Sequence, residues 1–165
     1  MSDAIGYVTL EQANEYIATH YISSDPLRVG WSELNDADKS ALLLKSFETI
    51  ELLPFTGRKA VPGQPNAFPR WPEQEVPNQI LYAQIENALS LSDSSSTDEA
   101  AHYNRLWQFG VNSYSIGDLS EHISEGAWSS GSTTSAASGI VSIVAMRLLT
   151  PFLIGNYRIV GGRCK

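Results

Sequence analysis

Apolar positions along this chain recur at helical spacing in four stretches and alternate like a strand in a fifth. Leu10, Ala13, Ile17 and Tyr21 fall three or four residues apart, with Tyr16 and His20 beside them. Thr9 and Gln12 have the spacing of a capping box, so a first helix is expected from about Leu10 to Tyr21. Asp25-Pro26 and Gly30 mark the loop after it. Asn35 or Asp36 caps a second helix, and Asp38 suits its positive N-terminal end. Its apolar stripe is Ala41, Leu42, Leu44, Phe47, Ile50 and Leu53, and Pro54 stops it. The run Leu42-Leu43-Leu44 implies burial on more than one face. Val76-Pro77 opens a third helix with Ile80, Leu81, Ile85, Ala88 and Leu89 inward. A fourth is expected from Ile140 to Leu149, with Ile140, Val141, Val144, Leu148 and Leu149 apolar, until Pro151 ends or kinks it.

The strand-like alternation sets Val111, Ser113 and Ser115 against Tyr114 and Ile116; Leu119, Glu121 and Ile123 follow the Gly117-Asp118 turn. This predicts a β-hairpin over about 110–123. Pro54 to Pro77 contains six prolines, interleaved with Phe55, Phe68 and Trp71, which suggests an ordered loop packed onto the body. Ser90 to Glu99 is polar and of low complexity, and Gly126 to Gly139 is a Gly/Ser/Thr-rich linker. Tyr157 to Val160 suits a short terminal strand, with Gly161-Gly162 freeing the last three residues. The expected fold is mainly α: a small bundle of about four helices with an inserted β-hairpin and an extended C-terminal tail. Residues 1–125 would form the body, 126–139 a flexible linker, and 140–165 a C-terminal helix and docking tail.

Charge sharpens that division. The 165 residues carry a net charge of -7, with 42% hydrophobic and 18% charged side chains, as in a folded soluble protein. An acidic body repels phosphate backbones. After Glu125, however, the only charged residues are Arg147, Arg158, Arg163 and Lys165. Tyr157, Arg158, Ile159, Val160, Arg163 and Lys165 are therefore candidates for binding a partner. The single cysteine, Cys164, cannot form an internal disulfide, which suggests a reduced, cytosolic protein. No signal peptide is expected from Met1 to Ala4, and Gly139 to Gly155 is too short to span a bilayer comfortably.

Residues with catalytic potential are scattered. His20, His102 and His122 fall in different elements without metal-ligand spacing. Glu48 and Glu51 lie three apart on a helix and suit a solvated or intersubunit face. Gly57-Arg58-Lys59 lacks the rest of a phosphate loop, and the serine clusters at 94–96 and 129–135 lack a nucleophile elbow. No catalytic, cofactor or metal site is expected, and no enzyme. Trp31, Trp71, Trp107 and Trp128 fall mostly in connections, where they either meet partners or pack on the chain's own body. With Phe68 and Arg70 they are the oligomer-interface candidates.

Several motifs occur in a familiar order. The stretch Tyr7-Val8-Thr9-Leu10-Glu11-Gln12-Ala13-Asn14-Glu15-Tyr16 resembles the start of a tailed-phage family. Trp31 followed by Asp36-Ala37-Asp38-Lys39, then Gln64-Pro65-Asn66-Ala67-Phe68-Pro69-Arg70, then Val76-Pro77 with Glu86 and Ala88, are similar to its next elements. Leu148-Leu149-Thr150-Pro151-Phe152-Leu153 closes the series; Phe68 stands where that family has Trp. On these motifs the chain resembles the head–tail connector (adaptor, head-completion) proteins, often labelled DnaT-like. The resemblance implies a structural virion protein made in the host cytoplasm and placed in the phage neck. It implies a homo-oligomeric ring of twelve beneath the portal protein, touching the next neck or tail-completion protein, with DNA passing through the lumen and no membrane involved. The alternative is a single-stranded DNA-binding, DnaT-like module. That would need aromatics accompanied by cations, and the pairs in sequence are Arg70-Trp71, Arg105 with Trp107, and Tyr157-Arg158.

Overall fold

The computed structural model describes residues 4–93, 113–116, 119–122 and 140–154. It is mainly helical, with five α-helices among these residues: α1 (Leu10–His20), α2 (Pro26–Glu33), α3 (Asp36–Glu51), α4 (Asn78–Ser92) and α5 (Ile143–Leu149). A 3-10 turn, Thr150–Phe152, follows α5. None of these helices is long and apolar enough to cross a membrane.

Local signals set most of the helix starts. The Thr9 hydroxyl accepts from Gln12 N while the Gln12 side chain accepts from Thr9 N, closing the capping box of α1. Asn35 Oδ1 accepts from Asp38 N at 2.8 Å to open α3. The stretch expected to be a loop after α1 is instead α2. Asp25 caps it by accepting from Leu27 N, and Pro26 supplies the first-turn residue that lacks an N–H. Pro77 is the N-cap of α4 rather than its first residue, and Ser142 caps α5, which starts at Ile143 rather than Ile140.

α4 is the central element and packs on α1, α2, α3 and α5. One apolar cluster joins Ile80 and Ala83 to Ile50, Phe55, Phe68, Met146 and Leu149. A second joins Ile85, Ala88 and Leu89 to Val8, Ala13, Ile17, Trp31 and Leu43. Ile140, Ala145, Met146, Leu149 and Leu153 belong to the first cluster, so residues 140–154, expected to begin a separate unit, are part of the body. The expected phase of the last helix also shifts: Ala145 and Met146 are buried, whereas Val144 is exposed.

A polar layer crosses α4 within these clusters. Gln84 Nε2 donates to Ile5 O and Leu43 O, and its Oε1 accepts from Tyr7 N. Ser46 Oγ donates to Gln84 O, and Asn87 Nδ2 donates to Ser46 Oγ. Asn87 Oδ1 accepts from Val141 N at 2.9 Å. Every buried side-chain polar atom among the described residues has a partner, so this layer carries no unpaired group.

Within the helical body only isolated bridges occur: Ile5 with Val8, Phe55 with Leu153, and Lys59 with Arg70. Two four-residue stretches, Ser113–Ile116 and Leu119–His122, pair antiparallel, with Ser113 opposite His122. Apart from that pair, the described residues form no sheet, and the expectation of a hairpin inserted into the body is not supported. The linker over 126–139 and the tail from 155 lie outside the described residues.

Candidate nucleic-acid interface

The connection between α3 and α4 contains the main concentration of cations in the described body. From Leu52 to Pro72 the sequence has Arg58, Lys59 and Arg70 and no acidic residue. Gly57 turns the chain at φ +76°, a conformation that suits glycine, into a short extended run. That run, 58–60, lies antiparallel to 69–71. Ala60 N donates to Pro69 O at 3.1 Å, and Trp71 N donates to Arg58 O at 2.9 Å. The peptide bonds preceding Pro69 and Pro72 are cis.

Side chains complete what this short ladder cannot. Gln64 accepts from Val61 N through Oε1 and donates through Nε2 to Asn66 O and Pro69 O. Lys59 Nζ donates to Gln64 O and Pro65 O, both at 3.0 Å. The Arg70 guanidinium donates to the carbonyls of Phe55, Thr56, Gly57 and Ala67. Beneath the loop, the Glu51 carboxylate accepts from Tyr7 Oη and from Ala67 N, and Phe68 N donates to Tyr7 Oη at 3.1 Å. Burial, and then the bond to Glu51, push the Tyr7 hydroxyl well above its ordinary pKa. Phe68 packs edge-on against Phe55, Phe152 and Tyr7.

What faces outward is an indole with a cation on it. Trp71 is 57% exposed, and the Arg58 guanidinium carbon lies 4.9 Å from its ring centroid. Lys59 is exposed next to it in sequence. The only ion pair among the described residues is Lys39 with Asp36, so no carboxylate neutralises Arg58 or Lys59 there. A single-stranded nucleic acid needs a π-face for a base and positive charge for its phosphates, and this loop offers both.

The expected interface residues separate sharply. Trp31 is 3% exposed and donates from Nε1 to Asn14 Oδ1, so it is a core residue of the protomer rather than an interface residue. Phe68, also 3% exposed, is likewise taken up by the core. Arg70 is turned inward onto carbonyls, and among the described residues of this group Trp71 alone is open to solvent. Trp107, Trp128, Tyr157, Arg158, Ile159, Val160, Arg163 and Lys165 lie outside the described residues. Among the described residues no group of His, Cys, Asp and Glu could hold a metal ion.

Residues 1–156 match the family described as "Putative DnaT-like ssDNA binding protein". The chain belongs to this family. No curated protein and no solved structure matches it. The DnaT-like match corrects the expectation of a head–tail connector: no connector family is shown, and the virion ring of twelve on a portal loses its basis. The family points instead to the reading held as the alternative. The fold places Arg58, but not its neighbour Lys59, against Trp71; in sequence the two cations read only as an incomplete phosphate loop. The acid-free run around them was the signal that could have found them.

Proposed function

We propose that this protein binds single-stranded DNA without transforming it, and that the loop between α3 and α4 makes the contact. A base stacks at Trp71, while Arg58 meets the adjacent phosphate and Lys59, on the other side of the same run, adds positive charge. One observation carries this reading: an exposed tryptophan under an unneutralised arginine, on a three-cation segment of a protein whose net charge is -7. Membership of the DnaT-like family supports it. The acid-free C-terminal forty residues would add Arg158, Arg163 and Lys165 to the same strand, on charge alone.

Fluorescence anisotropy with a labelled oligo-dT tests the reading. Binding is expected at about 50 mM salt and weakens steeply by about 200 mM, as counterion release requires. Trp71→Ala should lower affinity roughly tenfold with the melting temperature unchanged, since an exposed stacking ring contributes about 1–3 kcal/mol per base. A duplex of the same length should compete poorly, because its bases are already stacked. Equal binding by wild type and Trp71→Ala would refute the assignment of the loop.

A further inference from the structure

A second exposed aromatic group lies on the seam between α1 and α4, away from the proline-rich loop in sequence. Tyr16 and His20 are one turn apart on α1, their rings stacked at 3.9 Å and 19°. Tyr82 on α4 joins them, 4.8 Å from Tyr16 and 6.1 Å from His20. His20 is exposed and Tyr82 is 36% exposed. The imidazole is fixed by Nδ1, 2.9 Å from Tyr16 O; as a donor there, it directs Nε2 to solvent.

The support beneath these rings is unusual for a packing contact. Glu86 is 4% exposed, borders the second apolar cluster and has no cation partner among the described residues. Its Oε1 accepts from Tyr16 Oη at 2.8 Å and its Oε2 from Tyr21 Oη at 2.6 Å. An apolar side chain would fill this place without desolvating a carboxylate. What the carboxylate adds is orientation, because each oxygen pins one phenol. Arg28 sits at the same end of α1, where its Nη1 donates to Ala18 O and Tyr21 O. Its Nη2 makes no hydrogen bond and no ion pair among the described residues. Glu11 and Glu15 share α1, but Glu15 is displaced from Tyr16 by roughly 100° around the helix.

We infer that Tyr16, His20 and Tyr82 form a second stacking platform for bases of a single-stranded DNA, with Arg28, anchored on the carbonyls at the C-terminal end of α1, to meet a phosphate. The inference rests on the single-strand reading proposed above and extends it from one contact to two. Both contacts present exposed aromatic rings: the first has a guanidinium over its ring, and the second has one anchored at the same end of α1. Two separated platforms suit a flexible strand, since the linking nucleotides can span them while a stiff duplex cannot present unstacked bases to either.

The experiment uses the full chain and an oligo-dT of about 20 nucleotides, long enough for a strand that touches two platforms. Anisotropy is compared for wild type, Trp71→Ala, the double variant His20→Ala/Tyr82→Ala, and the triple variant. The double variant is expected to bind about tenfold more weakly and to stay folded with a modestly lower melting temperature, because His20 is exposed and Tyr82 is part-buried against Tyr16. The triple variant is expected to lose more than either parent. Photocross-linking with an iodouracil-substituted strand should label the peptide bearing Tyr82 or the one bearing Tyr16 and His20. If the double variant unfolds, His20→Gln and Tyr82→Gln singly replace it, each expected to weaken binding about threefold. Wild-type affinity in the folded double or single variants, with Trp71→Ala still impaired, overturns the second platform and leaves the loop reading intact. No binding by wild type overturns both.

Discussion

Glu51 and Glu86 each accept a tyrosine hydroxyl, yet they hold two different kinds of structure. Glu51 takes its second hydrogen bond from a backbone group, Ala67 N, and so ties the end of α3 to the proline-rich loop. Glu86 takes its second from another phenol, Tyr21, and so ties α4 to both turns of the α1 C-terminal half. The loop has almost no ladder of its own, and its carbonyls and amides are met one by one by Arg70, Lys59, Gln64 and Glu51. The helix seam has satisfied backbones already, leaving the carboxylate to fix rings. A carboxylate without a cation, buried at Glu86 and half-buried at Glu51, thus acts as a shaping device in both places, through neutral donors.

The largest expected effect separates the two regions at Gly6. Its φ is +71°, and an added Cβ would lie 2.4 Å from Phe47 Cγ. Gly6→Ala should cost about 4 kcal/mol in urea unfolding, since both strain and overlap oppose it. Because Tyr7 follows directly, the loop side should loosen first, seen as faster amide exchange at Ala67 and Phe68 than at Ala88 and Leu89.

Next, Glu86→Ala removes the acceptor of two phenols at a buried site and should cost about 3 kcal/mol, with Glu86→Gln recovering part of it. Glu51→Ala, at a half-buried site, should cost about 2 kcal/mol by the same measurement. It should also weaken oligo-dT binding, because the strand-contacting loop loses its support. A larger loss for Glu51 than for Glu86 would invert the contrast drawn here.

Alkaline pH addresses both regions at once. Burial first, and then hydrogen bonds to the carboxylates, raise the hydroxyls of Tyr7, Tyr16 and Tyr21 above the ordinary tyrosine value. A raised tyrosine pKa favours the neutral phenol in the folded state. The stability it provides is fully present below about pH 10 and is lost as pH rises beyond that. Unfolding free energy should therefore fall above about pH 10, and less so in Tyr16→Phe and Tyr21→Phe, which have no proton to lose. The smallest expected change is in Arg58→Gln, whose side chain meets only the Trp71 ring among the described residues, and which should lower the log–log salt slope of DNA binding by about one with little effect on stability.

The sequence was informative where the controlling contacts are local. The capping box of α1 and the Asn35 cap of α3 are complete within four residues, and both helices start where those residues indicate. α2 was missed because Asp25-Pro26 and Gly30 resemble turn chemistry. Asp and Pro serve equally as an N-cap and a first helical residue, and a side chain at Gly30 would meet nothing within 4 Å. The apolar face of α4 was legible, but the burial of Gln84, Glu86 and Asn87 was not. Their partners, such as Ile5, Tyr16 and Val141, lie far away along the chain. The cation beside Trp71 was misassigned for a geometric reason. Arg70 is its neighbour in sequence, but adjacent residues of an extended run point to opposite sides, and the cross-strand position belongs to Arg58. The DnaT-like family match decided between readings that the ordered motifs alone had ranked the other way.

The amides of α4 have a consequence for synthesis. Gln84 grips the chain near its beginning, at Ile5 and Tyr7, while Asn87 grips Val141. A ribosome that has released α4 has not yet released Val141, which Asn87 holds, or the α5 side of the cluster around Ile80 and Ala83. The growing polypeptide must therefore carry an unsealed apolar flank until α5 emerges, and a message truncated before that point would yield a product exposed to chaperones and proteases.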